Sequence, residues 1–562
     1  MSVAGRLMEQ PTAGFAAPPF ATGRGSRFSI SASQVSDRHS PFSCPMGLSL
    51  RTRHRAGSLQ PAPATGWRPR FDAASKLNLA VARCLPELLD GTDVRRILDG
   101  QRDLTHSQRR FLRHALDVLP DLVPQAEAAA GAEYRLGEDI IGRVERPSLT
   151  GKVTVWAVHL QTADQLLHEA VRWRLVPLRE QSDADRDWIA TAAAALSSDD
   201  AVPAGARLRI SEFSVTDGEY RCHFDGSTAD AARIFTERGR PLWEALDGSV
   251  YRPGSACSAC PFLRVCPAVP QVPGILGIAQ PAVATRHLSA SDLVAYGRCP
   301  TSYRVLRADH LPPRYAEDAD PGPSALARDR GVAVHAWLQW AHSRTPARAC
   351  TARDLPDSGA GPDIAIPGGL DPESYAAARP FLVQHLQACP LAREELTGWA
   401  PERTVAVHDP DADLVVISTP DLACRQIDSG EPVWRETKTA GAMPPDRAEA
   451  FRRYPDFALN VVLLAAFAEQ RGGTARAELE VLTPAGGRVL TVGTGDVAAV
   501  DDARRLVGDI AGRFAADVEF ARSPSGACRS CPAHGWCDPP DDFPTDGRAG
   551  PGSAAAAGHH RS

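Results

Sequence analysis

The run Cys257-x-x-Cys260-Pro-x4-Cys266 returns near the other end of the chain as Cys528-x-x-Cys531-Pro-x4-Cys537, with identical spacing and an alanine before the first cysteine in both. Far upstream of each triplet stands one Cys-Pro: Cys44-Pro45 after Ser31-Ala32-Ser33, and Cys299-Pro300 after Ser289-Ala290-Ser291-Asp292-Leu293. If each distant cysteine joins its triplet, the start of a domain is tied to its end, which restricts the paths open to the chain between them. Four thiolates are the count for a cubane [4Fe–4S] cluster. Structural Zn²⁺ also takes four cysteines, though more often from two C-x2-C knuckles, and unligated core cysteines are the bland alternative. Recurrence of all four positions argues against the last. The two sets are Cys299, Cys528, Cys531 and Cys537, and Cys44, Cys257, Cys260 and Cys266. The other five cysteines (Cys84, Cys222, Cys350, Cys389, Cys424) lack such spacing and read as buried hydrophobes.

An internal duplication with a period of roughly 260–280 residues accounts for the repeats. Val155-Trp156 matches Val433-Trp434, and strand-like pairs at 207–223 and 477–492 precede the two triplets. Boundaries follow: a disordered Pro/Gly/Ala-rich stretch at 1–27, a first domain at 28–266, an apolar Pro-containing linker at 267–286, a second domain at 287–539, and a disordered tail at 540–562. Thirteen cysteines without an export signal favour ligation over disulfides, and a cytoplasmic protein is expected. No run of eighteen apolar residues spans a membrane. A net charge of −6 neither advertises nucleic-acid binding nor excludes it, because the field of one groove decides.

Chemistry concentrates between Pro420-Asp421 and Glu436-Thr437-Lys438. The β-branched run Leu414-Val415-Val416-Ile417-Ser418-Thr419 reads as a strand that delivers Asp421. Turn residues follow from Ile427 to Pro432, and Val433 begins a second strand. Strand alternation puts Glu436 and Lys438 on one face and Thr437 on the other, and pairing of the strands brings Asp421 against Glu436. Two carboxylates and an ammonium around a small space suit phosphodiester hydrolysis. The carboxylates take Mg²⁺ or Mn²⁺, and the lysine offsets charge on the phosphate. An exposed hairpin with a Glu/Lys pair is the alternative.

From Ser289 to Cys537 the chain resembles the RecB-like branch of the PD-(D/E)XK nuclease superfamily. More narrowly, it looks like the iron–sulfur members found among CRISPR-associated exonucleases and in helicase–nuclease repair complexes. The resemblance implies a metal-binding histidine on an early helix, matched by His335 in Gly331-Val332-Ala333-Val334-His335, then Asp421, then Glu436-x-Lys438. Taken alone, His335 would read as a polar residue on an amphipathic helix. Family members usually carry Gln-x-x-x-Tyr on the following helix, where this chain has Ala458 and Val462; Tyr454 or Asn460 are the available substitutes. His342, on the same face as His335, has no assigned role.

The implied fold is α/β: two tandem restriction-endonuclease-like domains, each a small mixed sheet flanked by helices and closed by a four-cysteine cluster. Aligning Val155-Trp156 with Val433-Trp434 sets Val158 opposite Glu436, Leu160 opposite Lys438, and Arg143-Val144 near Asp421, so the first copy is expected to be degenerate. His114 there reads as structural. The expected activity is a metal-dependent DNA nuclease with His335, Asp421 and Glu436 as metal ligands and Asp421, Glu436 and Lys438 as its catalytic set. The alternative is a non-catalytic iron–sulfur DNA-binding subunit. No Walker A sequence occurs, so a helicase motor would be a separate chain.

Overall fold

The computed structural model describes residues 24–40, 43–55, 73–89, 91–278, 280–282, 285–316, 322–356, 369–523, 528 and 530–537. Of the ends expected to be disordered, 1–23 and 540–562 lie outside these residues, while 24–27 open the first strand. The architecture is mixed α/β, with four small mixed sheets flanked by helices. No helix among the described residues is long and apolar enough to cross a membrane.

The first half contains β1 (Arg24–Ser31), β2 (Arg53–Arg55), β3 (Arg135–Leu136), β4 (Ile140–Arg146), β5 (Leu149–Val155), β6 (Val158–Gln161), β7 (Leu167–Arg174), β8 (Arg207–Ser214) and β9 (Tyr220–Ser227). They form sheets ordered β2-β1-β5-β4 and β3-β6-β7-β8-β9. The second half contains β10 (Arg286–Ser289), β11 (Leu396–Pro401), β12 (Val405–Asp409), β13 (Leu414–Ser418), β14 (Leu422–Gln426), β15 (Pro432–Thr439), β16 (Arg476–Thr483) and β17 (Gly486–Gly493). These form β10-β13-β12 and β11-β14-β15-β16-β17.

Apart from β2, which has no counterpart, the two halves show the same strand order. β10 runs parallel to β13 as β1 does to β5. The β15–β16 pair is parallel, as is β7–β8, and each is flanked by antiparallel neighbours. Ser31 and Ser289 each cap the helix that follows with a reciprocal capping box, so the Ser-Ala-Ser repeats are helix starts.

The Val-Trp correspondence does not hold. Trp434 lies inside β15 and is 2% exposed, whereas Trp156 follows the end of β5 and is 58% exposed. The strand in the place of β15 is β7, whose ladder pair Val158–Val171 corresponds to Leu422–Arg435. Arg172 and Arg174 therefore stand where Glu436 and Lys438 do, and Val158 and Leu160 lie on the neighbouring strand. Arg174 pairs with Asp185 at 2.9 Å and Glu212 at 3.0 Å, and Arg172 lies 4.8 Å from the Trp188 ring centre. The charge at these two positions is neutralised internally. His114 contacts the Thr216 carbonyl and packs beside Trp536, a structural role.

The core of the second half is the helix Pro455–Arg471, buried at every residue from 456 to 468. Gly472 ends it in the left-handed conformation, at φ 64°, which a residue lacking Cβ adopts without strain. Its apolar surface covers β15 and β16, with Trp434 edge-on to Phe467 at 6.0 Å. Each such buried side chain stabilises by about 1.5–3 kcal/mol. The opposite face of the sheet packs through Leu482 against the helices Gly322–His342 and Pro372–His385.

The two halves also lean on each other. The connecting stretch 267–286 is strapped to the second half: Val272 N–H donates to His408 O at 2.9 Å, and His408 N–H donates to Pro270 O at 2.9 Å. Cys257, Leu263 and Val269 pack on Ala406, Val415 and Ile417. In the other direction, Trp536 and Ala533 of the second triplet enter the helical core of the first half, with Trp536 5.1 Å from Phe111. A chain truncated to begin at Pro281 would retain every second-half candidate residue but expose both contact faces. Its melting temperature should fall by about 5–10 °C relative to the full chain; an unchanged melt in differential scanning calorimetry would contradict this packing.

Candidate active site

Asp421 lies where the chain leaves one sheet and enters the next. The run 414–418 does form a strand, but its partners are β10 and β12, and the hairpin partner of β15 is β14. Pro420 stands at the crossing. Leu422 pairs with Arg435, so the next step of the ladder sets Asp421 across from Glu436. Thr437 N–H donates to Asp421 Oδ2 at 2.5 Å and fixes the carboxylate.

Other elements converge on this point. His335, on the helix Gly322–His342, places Nδ1 2.8 Å from Asp421 Oδ1. Glu402 comes from the turn between β11 and β12, in the left-handed region at φ 50°, and its N–H donates to Asp421 O at 3.2 Å. One ligand atom each from His335, Glu402 and Asp421 lie within 4.8 Å of one another, a spacing that could hold a metal ion. Lys438 Nζ is 2.6 Å from Glu436 Oε1 and 2.5 Å from Asp456 Oδ2. Asn460 Nδ2 donates to Glu436 Oε2 at 3.2 Å, and Ser418 Oγ donates to Asn460 Oδ1 at 2.5 Å. Ala458 and Val462 are buried in the core, and the buried Tyr454 hydroxyl has no hydrogen-bond partner among the described residues. Asn460 and Asp456 thus orient Glu436 and Lys438. Glu402 and Asp456 had no motif to single them out, since one is a turn residue and the other a helix-start acid.

Negative charge is in excess here. Burial pushes the Glu436 carboxyl up to about 8, with Lys438 opposing and Asp421 and Asp456 adding to the rise. Burial and Asp421 push Glu402 up to about 7. Burial also works against ionised Asp421, but His335 and Lys438 outweigh it and hold the group below its ordinary range. Four carboxyl groups faced by one lysine and one histidine fit a divalent cation, which would relieve the repulsion.

The cysteine sets also converge. Cys44, Cys257, Cys260 and Cys266 line one cavity walled by Met46, Leu50, Tyr251 and Phe262. Gly47 N–H and Gly254 N–H donate to the sulfurs of Cys44 and Cys257, each at 3.4 Å. Burial raises the Cys266 thiol to about 12, so a free thiolate is disfavoured there. In the second set, burial pushes the Cys537 thiol up to about 11, and Cys299, Cys531 and Cys528 stand near enough to add to the rise. Cys44 and Cys299 each stand at the N-terminal boundary of a short helix opened by the following proline, and the Cys44 sulfur accepts a capping N–H from Gly47. In the first set, converging sulfurs, apolar walls and backbone N–H donors fit thiolate ligation of a metal centre.

Residues 287–538 match the family model of the PD-(D/E)XK nuclease superfamily, and this half of the chain is a domain of that superfamily. The matched span includes Asp421, Glu436 and Lys438, together with Glu402, Asp456 and Asn460. Members are generally nucleases that use divalent metal ions. A search of curated proteins gave no match to the chain. The Asn460 bridge supplies a direct test of the geometry. Asn460→Leu would leave Ser418 Oγ and Glu436 Oε2 without their shared partner in a buried site, at an expected cost of about 1–3 kcal/mol in chemical denaturation. A variant as stable as the parent would show that the bridge does not form.

Proposed function

We propose that residues 287–538 act as a divalent-metal-dependent DNA nuclease of the RecB-like branch, working as an exonuclease in repair or defence. The carrying observation is the convergence of His335, Glu402 and Asp421 beside the Glu436–Lys438 pair, from four separate elements. His335, Glu402, Asp421 and Glu436 would hold Mg²⁺ or Mn²⁺. A bound ion supplies Lewis acidity at the phosphoryl oxygen and makes water acidic enough to attack at neutral pH.

The protein groups around that ion prepare the site. Asp456 and Glu436 aim the Lys438 ammonium, which then meets the negative charge that builds on the phosphate during in-line displacement. Asn460 fixes the Glu436 carboxylate, and Thr437 N–H fixes that of Asp421, so little reorganisation is needed when DNA binds. The repeated strand order and capping boxes support a tandem duplication with a degenerate first copy, where the Arg172–Arg174 cluster stands in place of the catalytic set. That copy would hold DNA or act as scaffold. Each cysteine set would carry a [4Fe–4S] cluster acting as a staple, and a helicase subunit would be a separate chain.

The test is degradation of labelled DNA by anaerobically purified protein with Mg²⁺ or Mn²⁺. Asp421→Ala and Glu436→Ala should each reduce cleavage by at least about 10²-fold while the fold persists, since each removes a metal-holding carboxylate worth several kcal/mol. Lys438→Ala should lower turnover more than metal affinity. The same preparation should contain about eight irons per chain. Cleavage that survives in either carboxylate variant would overturn the assignment, and stoichiometric zinc with negligible iron would replace the clusters with zinc staples.

A further inference from the structure

Behind β15, on the face away from Glu436 and Lys438, lies a second polar group in an apolar setting. His342 is the last residue of the helix Gly322–His342, and Cys350 follows in the next loop. His385 is the last residue of the helix Pro372–His385, and Cys389 begins the next turn. All four are buried, among Trp337, Leu355, Tyr375, Phe381, Leu382 and Leu482. One ligand atom from each lies within 4.8 Å of all the others.

The arrangement has the features of a tetrahedral two-nitrogen, two-sulfur site. His342 Nε2 and His385 Nε2 are 3.3 Å apart. Two imidazole nitrogens on one tetrahedral zinc stand about 3.3 Å apart, given bonds of about 2.0–2.1 Å. Cys350 N–H donates to Cys389 Sγ at 3.4 Å, as backbone amides do to ligand thiolates. His385 Nδ1 faces Glu480 Oε1 at 2.9 Å, so Nδ1–H donates outward and the Nε2 lone pair points into the group. Such a carboxylate–histidine pair fixes the tautomer that binds a metal. Glu480 is itself held by Thr437 Oγ1 at 3.1 Å.

Charge leads to the same cation. Two thiolates and the Glu480 carboxylate would sum to three buried negative charges. Arg344 Nη2 lies 3.7 Å from Cys350 Sγ and Arg435 Nη1 lies 4.0 Å from Glu480 Oε2. Both arginines are already engaged by Asp354 and Glu478, so a dication between the ligands is what offsets the larger part of this charge. Soft sulfur with imidazole selects zinc over the hard cations that suit the carboxylate site.

We propose that His342, Cys350, His385 and Cys389 bind one structural Zn²⁺. The ion fastens the ends of two helices and, through Glu480 and Thr437, backs the strand that carries Glu436 and Lys438. It also anchors the helix that presents His335. The site stands whether or not the chain cleaves DNA.

The test is metal analysis of the full chain with X-ray absorption at the zinc edge. The parent should hold a zinc whose shell contains nitrogen at about 2.0–2.1 Å and sulfur at about 2.3 Å. Cys389→Ser should lose one zinc equivalent per chain and melt several degrees lower, while iron content is unchanged. Because a core variant can fail to fold, the parent spectrum decides independently. A parent without zinc, a zinc shell of sulfur alone, a Cys350–Cys389 disulfide in the parent, or a folded Cys389→Ser chain with the parent's full zinc content would each overturn the proposal.

Discussion

The hydrogen bond from Thr437 N–H to Asp421 Oδ2 joins the two parts of the candidate site across the β14–β15 hairpin, at 2.5 Å. It depends on the register that pairs Leu422 with Arg435. A shift by one residue would turn Glu436 and Lys438 to the opposite face and remove Asp421 from reach. Burial on both faces prevents that shift. Trp434 is locked against the core helix on one side, while Arg435 on the other is held by Glu478 at 2.5 Å. Packing thus sets the register, and the register sets the chemistry.

Around the hairpin, buried carboxyl groups are organised by partners of graded strength. Lys438 and His335 satisfy part of the negative charge, while burial first and neighbouring carboxylates second raise the Glu402 and Glu436 carboxyls. Such a site costs stability in the absence of a cation. It is supported from outside, by the core helix through Asp456 and Asn460 and by the His335 helix on the opposite face. The cysteine sites act at longer range. Each lies against the other half of the chain, the first beneath β12 and β13 and the second against Phe111.

Much of this was legible in the sequence because spacing and period carry it. The cysteine triplets, the Ser-Ala-Ser boxes and the Glu-x-Lys strand all obey local rules. The break between β13 and β14 was not, since Thr419-Pro420 looks like the end of one hairpin strand while the chain is changing sheets. Val155-Trp156 misled because two identical letters carry no burial, and one tryptophan faces water. Glu402 and Asp456 were missed as single polar residues at a turn and a helix start, brought to the site only by tertiary packing, whereas Asn460 was named beside Tyr454 as a substitute and it is Asn460 that meets Glu436. His342, Cys350, His385 and Cys389 are two pairs at helix ends with no shared period, and burial made the cysteines read as hydrophobes.

Glu402 is the sharpest probe of the account, because the fold alone brings it to the site. Binding of Mn²⁺ can be followed by the resonance of the free ion as the full chain is titrated in the absence of DNA. The parent should show a saturable site, and Glu402→Gln, which keeps the shape of the side chain and removes its charge, should weaken that site by about tenfold or more, roughly 1.4 kcal/mol or greater. Equal affinity and stoichiometry in the two proteins would contradict a cation held by His335, Glu402 and Asp421.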